Sequence, residues 1–288
     1  MEHATALLEQ TLAPPPRQPD LGEPVFLRDF LVGMLKPAAS IAVVALAVML
    51  SFTQRLGVEG ETLYAVARSF VQLLLIGFVL HFIFVQKNTT PSILLTYLFM
   101  VTVASYTAGK RAKQVPRGKH IAFVSILVGT GTSMILLVLL KVFPFTPRFS
   151  VVMIPISGMV IGNAMTITGV AMKQLQQDIK THKNLVETAL ALGATPRQAT
   201  LQQIRTSQEI ALSPGIDNAK TQGVINLPGA MTGLIMAGAS PLEAIQVQIV
   251  LKNMLMAAST VSSIVSSFLC WPAFFTKTFQ LKEEVFAD

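Results

Sequence analysis

Long apolar runs separated by short polar connections dominate the chain, and their length is that of helices, not of strands. Seven such runs read as membrane spans, at about Ala38 to Thr53, Leu63 to Val85, Pro91 to Ala108, Ile121 to Phe143, Val151 to Met172, Val224 to Ala239 and Ala244 to Cys270. A helix needs about 20 mostly apolar residues to cross a bilayer core. The first and sixth runs fall short of that and call for little tilt or for snorkelling flanks such as Lys36. The expected fold is an all-α polytopic membrane protein with about seven transmembrane helices.

One polar stretch, residues 173–223, interrupts this pattern. From Lys173 to Leu192 the residues Leu175, Ile179, His182, Val186, Ala189 and Leu190 fall in a sector of about 100°, with Lys173, Asp178, Lys180, Lys183 and Glu187 around the other side. That is an amphipathic helix leaving the bilayer. Gly193 stands where a helix end needs a residue tolerant of positive φ. Thr195-Pro196-Arg197-Gln198 then supplies an N-cap, a proline at the first helical position and a capping-box glutamine. Helix, sharp corner and second helix follow, which is the shape of a lever.

Composition agrees with a membrane protein. The chain has 288 residues, of which 52% are hydrophobic and only 13% charged, and its mean hydropathy is +0.58. Its net charge of +7 would suggest nucleic acid in a soluble protein, but the cations collect in loops, so topology accounts for them and no nucleic-acid partner is expected. The third-to-fourth connection holds Lys110, Arg111, Lys113, Arg117 and Lys119, and the fifth-to-sixth holds Lys173, Lys180, Lys183, Arg197, Arg205 and Lys220. Together they carry eleven of the 22 basic residues. The positive-inside rule makes both cytoplasmic, so the N-terminus is expected outside and the C-terminus inside. The sequon at Asn88 then falls on the outer side, too close to the membrane to favour a glycan.

Several kinds of chemistry have no motif here. Gly109-Lys110-Arg111 and Gly118-Lys119-His120 lack the leading glycine and the Ser or Thr of a nucleotide-binding loop. There is no His-Glu-x-x-His, no Gly-x-Ser-x-Gly and no clustered His/Cys/Asp set, so neither an enzyme nor a metal centre is expected. Cys270 is the single cysteine, which excludes an intrachain disulfide.

Within the spans, Gly158 and Gly162, and again Gly229 and Gly233, put small residues on one helix face and mark helix packing. Asn163, Thr166 and Thr168 are polar at membrane depth and require a neighbouring helix or a pathway to face. Arg68 and Gln72 in the second span are further path candidates, although Arg68 is near enough to the cytoplasmic end to snorkel. Lys252 in the seventh span, beside Gln246, Gln248 and Asn253, has no carboxylate inside any span to neutralise it. An anionic ligand or a watery vestibule fits that charge.

The corner at Glu187 to Arg197 resembles the Glu-Ala-Ala loop of ABC importer permeases, where a glycine six residues after the glutamate helps to form the helix that docks into the ATPase. Glu187 and Gly193 keep that spacing; Thr188 replaces the first alanine, and Ile204 comes one residue late. The runs Ile154-Pro155-Ile156-Ser157-Gly158-Met159-Val160-Ile161-Gly162-Asn163-Ala164-Met165, Ala189-Leu190-Ala191-Leu192-Gly193-Ala194 and Ile225-Asn226-Leu227-Pro228-Gly229-Ala230-Met231-Thr232-Gly233 resemble the FetB-type ABC permease family, and its plant aluminium-tolerance members most. The resemblance covers about residues 37–275.

It implies a permease domain at 37–275 with its coupling region at 173–223, after a flexible tail at 1–36 and before a cytoplasmic tail at 276–288. It also implies an ABC ATPase partner that binds ATP and Mg, so that no cofactor belongs to this chain, and a permease homodimer in the full complex. Glu187, Gly193, Ala194, Thr195, Pro196 and Arg197 would couple to the ATPase. Plant members are linked to aluminium tolerance in roots and a plant pair to moving UDP-glucose, while bacterial relatives are linked to iron export. The membrane would be the plasma membrane or an endomembrane vesicle. An iron or aluminium exporter, an ATP-independent secondary transporter and a non-transporting scaffold are the alternatives.

Overall fold

The computed structural model describes residues 24–55, 57–85, 90–140, 149–225, 227–276, 278–282 and 285. They are helical almost throughout, with an isolated antiparallel bridge between Phe275 and Leu281. The Asn88 sequon lies outside the described residues. The chain divides into two compact units, residues 1–87 and 88–288.

The first unit holds α1 (Pro24–Thr53) and α2 (Glu59–Val85). Helix α1 begins at Pro24, inside the expected tail, because the apolar-rich segment from Phe26 to Leu35 continues into the first apolar run. Between the helices, Arg55 and Gly57 adopt left-handed φ of 51° and 73°. Glu59 closes that turn, its Oε1 accepting from Ser51 Oγ at 3.1 Å and from Gly57 N at 3.3 Å.

The second unit is built on four long helices, α3 (Thr90–Arg111), α4 (Gly118–Leu139), α5 (Phe149–Thr181) and a late helix, Pro241–Cys270. Between α5 and that late helix come α6 (Lys183–Ala191), α7 (Pro196–Ala199), α8 (Leu201–Thr221) and α9 (Gly229–Met236), so the late helix is α10. A 3₁₀ turn, Trp271–Phe274, ends it. Among the described residues three helical stretches are long and apolar enough to cross a membrane, Gly118–Leu139, Met153–Thr181 and Pro241–Phe274, and Ala39–Thr53 is a shorter apolar helix.

Close packing of α4 on α10 is made possible by Gly129. A Cβ there would stand 2.6 Å from the Ala258 carbonyl and would collide with Ser262 Oγ. At Gly169, where α5 lies on α3, a Cβ would make an ordinary contact of 3.5 Å with the Ala108 Cα. Across α3 and α4 the Tyr97 hydroxyl meets Thr130 Oγ1 at 2.7 Å. Buried Val101, Ala122, Ile126, Ile161 and Leu175 fill the space between these helices.

Two expected helices differ. The amphipathic helix expected from Lys173 to Leu192 is two helices with a break at His182, whose φ is −104° and ψ 26°. At the break Thr181 Oγ1 donates to Gln177 O at 3.0 Å and His182 Nδ1 to Asp178 O at 2.9 Å, while His182 N keeps its helical bond to Asp178 O at 3.0 Å. His182 consequently faces solvent, while Leu175, Ile179 and Val186 stay fully buried.

The sixth expected span, Val224 to Ala239, contains only the eight residues of α9. Eight residues reach about 12 Å, far short of a hydrocarbon core of about 30 Å. Gly223, with φ of 90°, and Pro228, which has no N–H to donate, break the helix before Gly229. Ahead of the break α8 lies along α5, Ala211 packing with Ile167 and Ala171, and behind it Ala230 of α9 packs with Leu251 and Met254 of α10. This stretch is therefore a broken element, in which α8 and α9 are separate pieces.

Candidate functional site: the elbow and the polar seam behind it

The corner after α6 forms by two local devices acting in series. Gly193 takes φ of 91°, Ala194 N donates to Ala189 O at 3.0 Å and Gly193 N to Leu190 O at 3.0 Å. Those two bonds are the Schellman closure of a helix. Thr195 then caps α7, its Oγ1 accepting from Gln198 N at 3.4 Å while Gln198 Oε1 accepts from Thr195 N at 2.9 Å. Pro196 occupies the first helical position, as Thr195-Pro196-Arg197-Gln198 predicts. Thr200 Oγ1 donates back to Pro196 O at 2.8 Å and separates α7 from α8.

The elbow has an inner and an outer face. On the inner one Val186, Pro196, Ala199 and Thr200 are buried, and Val186 and Ala199 share a cluster with Ile179, Cys270 and Phe274. The Arg197 guanidinium lies 5.3 Å over the Phe268 ring and ties the elbow to the end of α10. Outward, Leu192 is 83% exposed and Leu185 60%. Glu187 is exposed too and meets Lys183 at 3.6 Å, one turn away on the same surface. Large apolar side chains left in solvent beside charges are what a protein-docking surface offers.

The segment expected as a cytoplasmic tail contributes to the inner face. Phe274, Phe275, Leu281 and Val285 belong to the buried cluster that holds Val186 and Ala199. Lys282 N donates to Phe274 O at 2.9 Å, Lys282 Nζ to Ala273 O at 2.9 Å, and Gln176 Nε2 reaches Val285 O at 3.3 Å. The residues after 275 thus clasp the end of α5 to the end of α10.

Behind the elbow a polar seam runs between α5, α8 and α10. Asn163 Nδ2 donates to Ser259 Oγ at 2.9 Å. Gln208 of α8 donates to Ser263 O at 3.0 Å, touches Ser267 Oγ, and accepts from Ser263 Oγ at 2.6 Å. Ser259, Ser262, Ser263, Ser266 and Ser267 are all buried. Buried oxygens without a hydrogen-bond partner among the described residues occur on the same three helices, Thr168 Oγ1 on α5, Gln203 Oε1 on α8 and, facing Gly129 of α4, Ser262 Oγ on α10. Such groups are costly in a dry interior and suit a wet or moving one.

Asn163 is therefore the one sequence candidate at the seam's core, and Thr166 is exposed and bonds its own helix at Gly162 O. Lys252 is half-buried and Asn253 exposed, two turns before the seam on α10. Arg68 and Gln72 lie exposed on α2 in the first unit. Of the glycines expected to mark packing, Gly158 has Met100 Cε 3.3 Å from a Cβ position, whereas Gly162, Gly229 and Gly233 have nothing within 4 Å. Spacing shows which face would admit a helix, not whether one arrives, and within this chain the tight approach is at Gly129 instead. Gln208 and the serines of α10 lie outside the residues expected from sequence, although serines at 259, 262, 263, 266 and 267 recur at helical spacing and signal a polar face on that helix.

Comparison with known proteins gives a consistent result. A family model described as Uncharacterised protein family (UPF0014) matches residues 34–275. The chain is 67% identical over 287 residues to the UPF0014 membrane protein STAR2 of Oryza sativa subsp. japonica, covering 100% of this chain and 99% of that protein. It is 65% identical over 259 residues to Protein ALUMINUM SENSITIVE 3 of Arabidopsis thaliana, covering 90% and 93%. With the Probable iron export permease protein FetB of Escherichia coli (strain K12) the identity is 35% over 244 residues, covering 85% and 93%. No solved structure matches the chain.

Proposed function

The chain belongs to the UPF0014 family of multi-pass membrane proteins, and from that premise we propose that it is the membrane-spanning subunit of an ABC-type transporter whose ATPase is a separate protein. The observation that carries the reading is the elbow. It is locally rigid, anchored inward to α5 and α10, and presents Leu192, Leu185 and Glu187 outward. A push on that surface is handed to the ends of the two helices that bound the polar seam. The name of the relative in Escherichia coli, a probable iron export permease, supports transport, and the name of the Arabidopsis thaliana relative connects it with aluminium.

In operation, two ATPase subunits closing around ATP would each press on one elbow of a permease homodimer. The glycine faces at Gly162, Gly229 and Gly233, open in the single chain, suit contact with a second copy. Movement of α5 and α10 would then slide the serine-lined seam, whose hydroxyls can exchange partners at small cost between two arrangements. The membrane in question would be the plasma membrane or an endomembrane vesicle.

For the cargo, UDP-glucose is the favoured reading and an iron or aluminium ion the alternative. The half-buried Lys252 with neighbouring Gln248 and Asn253 offers a cation and amides to a nucleotide sugar's diphosphate and hydroxyls. Reconstitution with the co-purified ATPase tests both levels. Labelled UDP-glucose should move under ATP and not under a non-hydrolysable analogue, and Al³⁺ or Fe²⁺ moving in its place would replace the substrate but keep the mechanism. Flux without any ATPase would sink the mechanism itself.

A further inference from the structure

The bend between α3 and α4 bears an open cleft of about 560 Å³ whose lining includes Tyr106, Lys110, Lys113, Arg117, Lys119 and His120. A run of surface cations is ordinarily a solvated loop. Three observations set this one apart.

First, the bend is built rigidly. Val115 N donates to Ala112 O at 3.1 Å and Gly118 N to Val115 O at 3.0 Å, and Ala112 and Val115 are buried plugs beneath the cations. Any Cβ on Gly109 would stand 2.7 Å from the Lys119 Cα, so the two helix ends meet at backbone contact. Arg117 holds φ of 56° and ψ of 26°, a left-handed conformation that a non-glycine residue adopts at a cost. The second observation is that the charge is uncompensated. Among the described residues no carboxylate pairs with Lys110, Lys113, Arg117 or Lys119, and the Lys119 ammonium rests 4.5 Å over the Tyr106 ring.

The third observation identifies the ligand class. Leu95, Phe99, Val103 and Tyr106 are exposed along one face of α3 at spacings of four, four and three, and one turn further on that face is Lys110. Val124 and Val128 are exposed in the same way on α4, four and eight residues after His120. An apolar stripe on each helix therefore runs into the cationic cleft, and Tyr106 belongs to both. A free anion would use the cations and have no use for the stripes.

We propose that this bend is a binding site for the phosphate headgroup of an anionic membrane lipid, whose acyl chains lie along the exposed faces of α3 and α4. The cations neutralise the phosphate, and the tyrosine ring marks the boundary between headgroup and chain, where aromatic residues of membrane proteins collect. The site is independent of the transport reading and rests only on the protein being embedded in a bilayer.

The full chain, purified in mild detergent and transferred to phosphatidylcholine nanodiscs with or without phosphatidylglycerol, tests this by native mass spectrometry and thermal melting. The wild type should retain phosphatidylglycerol over phosphatidylcholine and melt higher in its presence. Each cation removed should weaken retention about five-fold, so Lys113→Ala with Arg117→Gly should lose it roughly 25-fold. Arg117→Gly is chosen because glycine accepts the left-handed backbone, so that variant folds at least as well as the wild type. The control Lys173→Ala with Arg205→Ala removes two exposed cations elsewhere and should retain the lipid. Equal loss in that control, no preference for phosphatidylglycerol, or equally tight binding of inorganic phosphate in phosphatidylcholine nanodiscs would each overturn the proposal.

Discussion

Two corners of this molecule are written in nearly the same six residues, Gly193-Ala194-Thr195-Pro196-Arg197-Gln198 and Gly238-Ala239-Ser240-Pro241-Leu242-Glu243. Both glycines are left-handed, at φ of 91° and 97°. Ala239 N donates to Leu234 O and Gly238 N to Ile235 O, each at 3.0 Å, repeating the closure made by Ala194 and Gly193. Both corners open the next helix with a full capping box and a proline at its start. Their surroundings have nothing in common. The first is followed by four helical residues, two of them buried, and sits against the end of α10. The second reverses the chain from the half-length α9 into the 30 residues of α10, with Met236 83% and Leu242 75% exposed. Along α10 they are separated by roughly 40 Å. The lesson is that six residues suffice to make a corner, while what the corner does depends on which helices it joins.

The sharpest way to break the comparison is proline at each glycine, since proline fixes φ near −65° and cannot take either conformation. Gly193→Pro should abolish ATPase co-purification and transport with membrane insertion intact. Gly238→Pro should leave ATPase capture in place and impair transport alone. Capture retained in both variants would remove the elbow from the docking surface. A second test removes the elbow's support and not its turn. Phe274→Ala empties a fully buried site in the cluster shared with Val186 and Ala199, and should cost about 3 kcal/mol, read as a lower melting temperature together with weaker ATPase capture. The smallest effect sharpens the equivalence. Thr195→Ala and Ser240→Ala each delete one cap and should cost about 1 kcal/mol apiece, measured by chemical denaturation; a difference of several-fold would show that the two boxes are not energetically alike.

Much of this architecture is legible along the chain. The apolar runs place α4, α10 and the start of α5 to within a few residues, because an 18 to 25 residue apolar segment has few alternatives to a helix in lipid, while α5 runs on past the expected end at Met172 to Thr181. The elbow is legible to the residue, since its bonds close between positions no more than six apart. His182 shows where such reading ends. It lies in the right sector for a continuous helix, yet the backbone leaves the helical region there at φ of −104° and ψ of 26°, a local departure that periodicity does not register. Leu281 and Val285 show it again, as two apolar residues in a polar terminus whose burial depends on the cleft between α5 and α10.

From the residues in order one obtains an oily helical bundle, its charged loops and the tight turn at Gly193, for these rest on solvent preference and on hydrogen bonds that close within a helical turn or two. The rest required three dimensions. That α4 and α10 meet at Gly129 and not at the spaced glycines, that Gln208 finds Ser263 across 55 positions, and that four loop cations line one cleft are facts about which surfaces arrive opposite each other. Such pairings are set by the packing of whole helices against one another, a long-range competition in which a residue's own neighbours in sequence have little say.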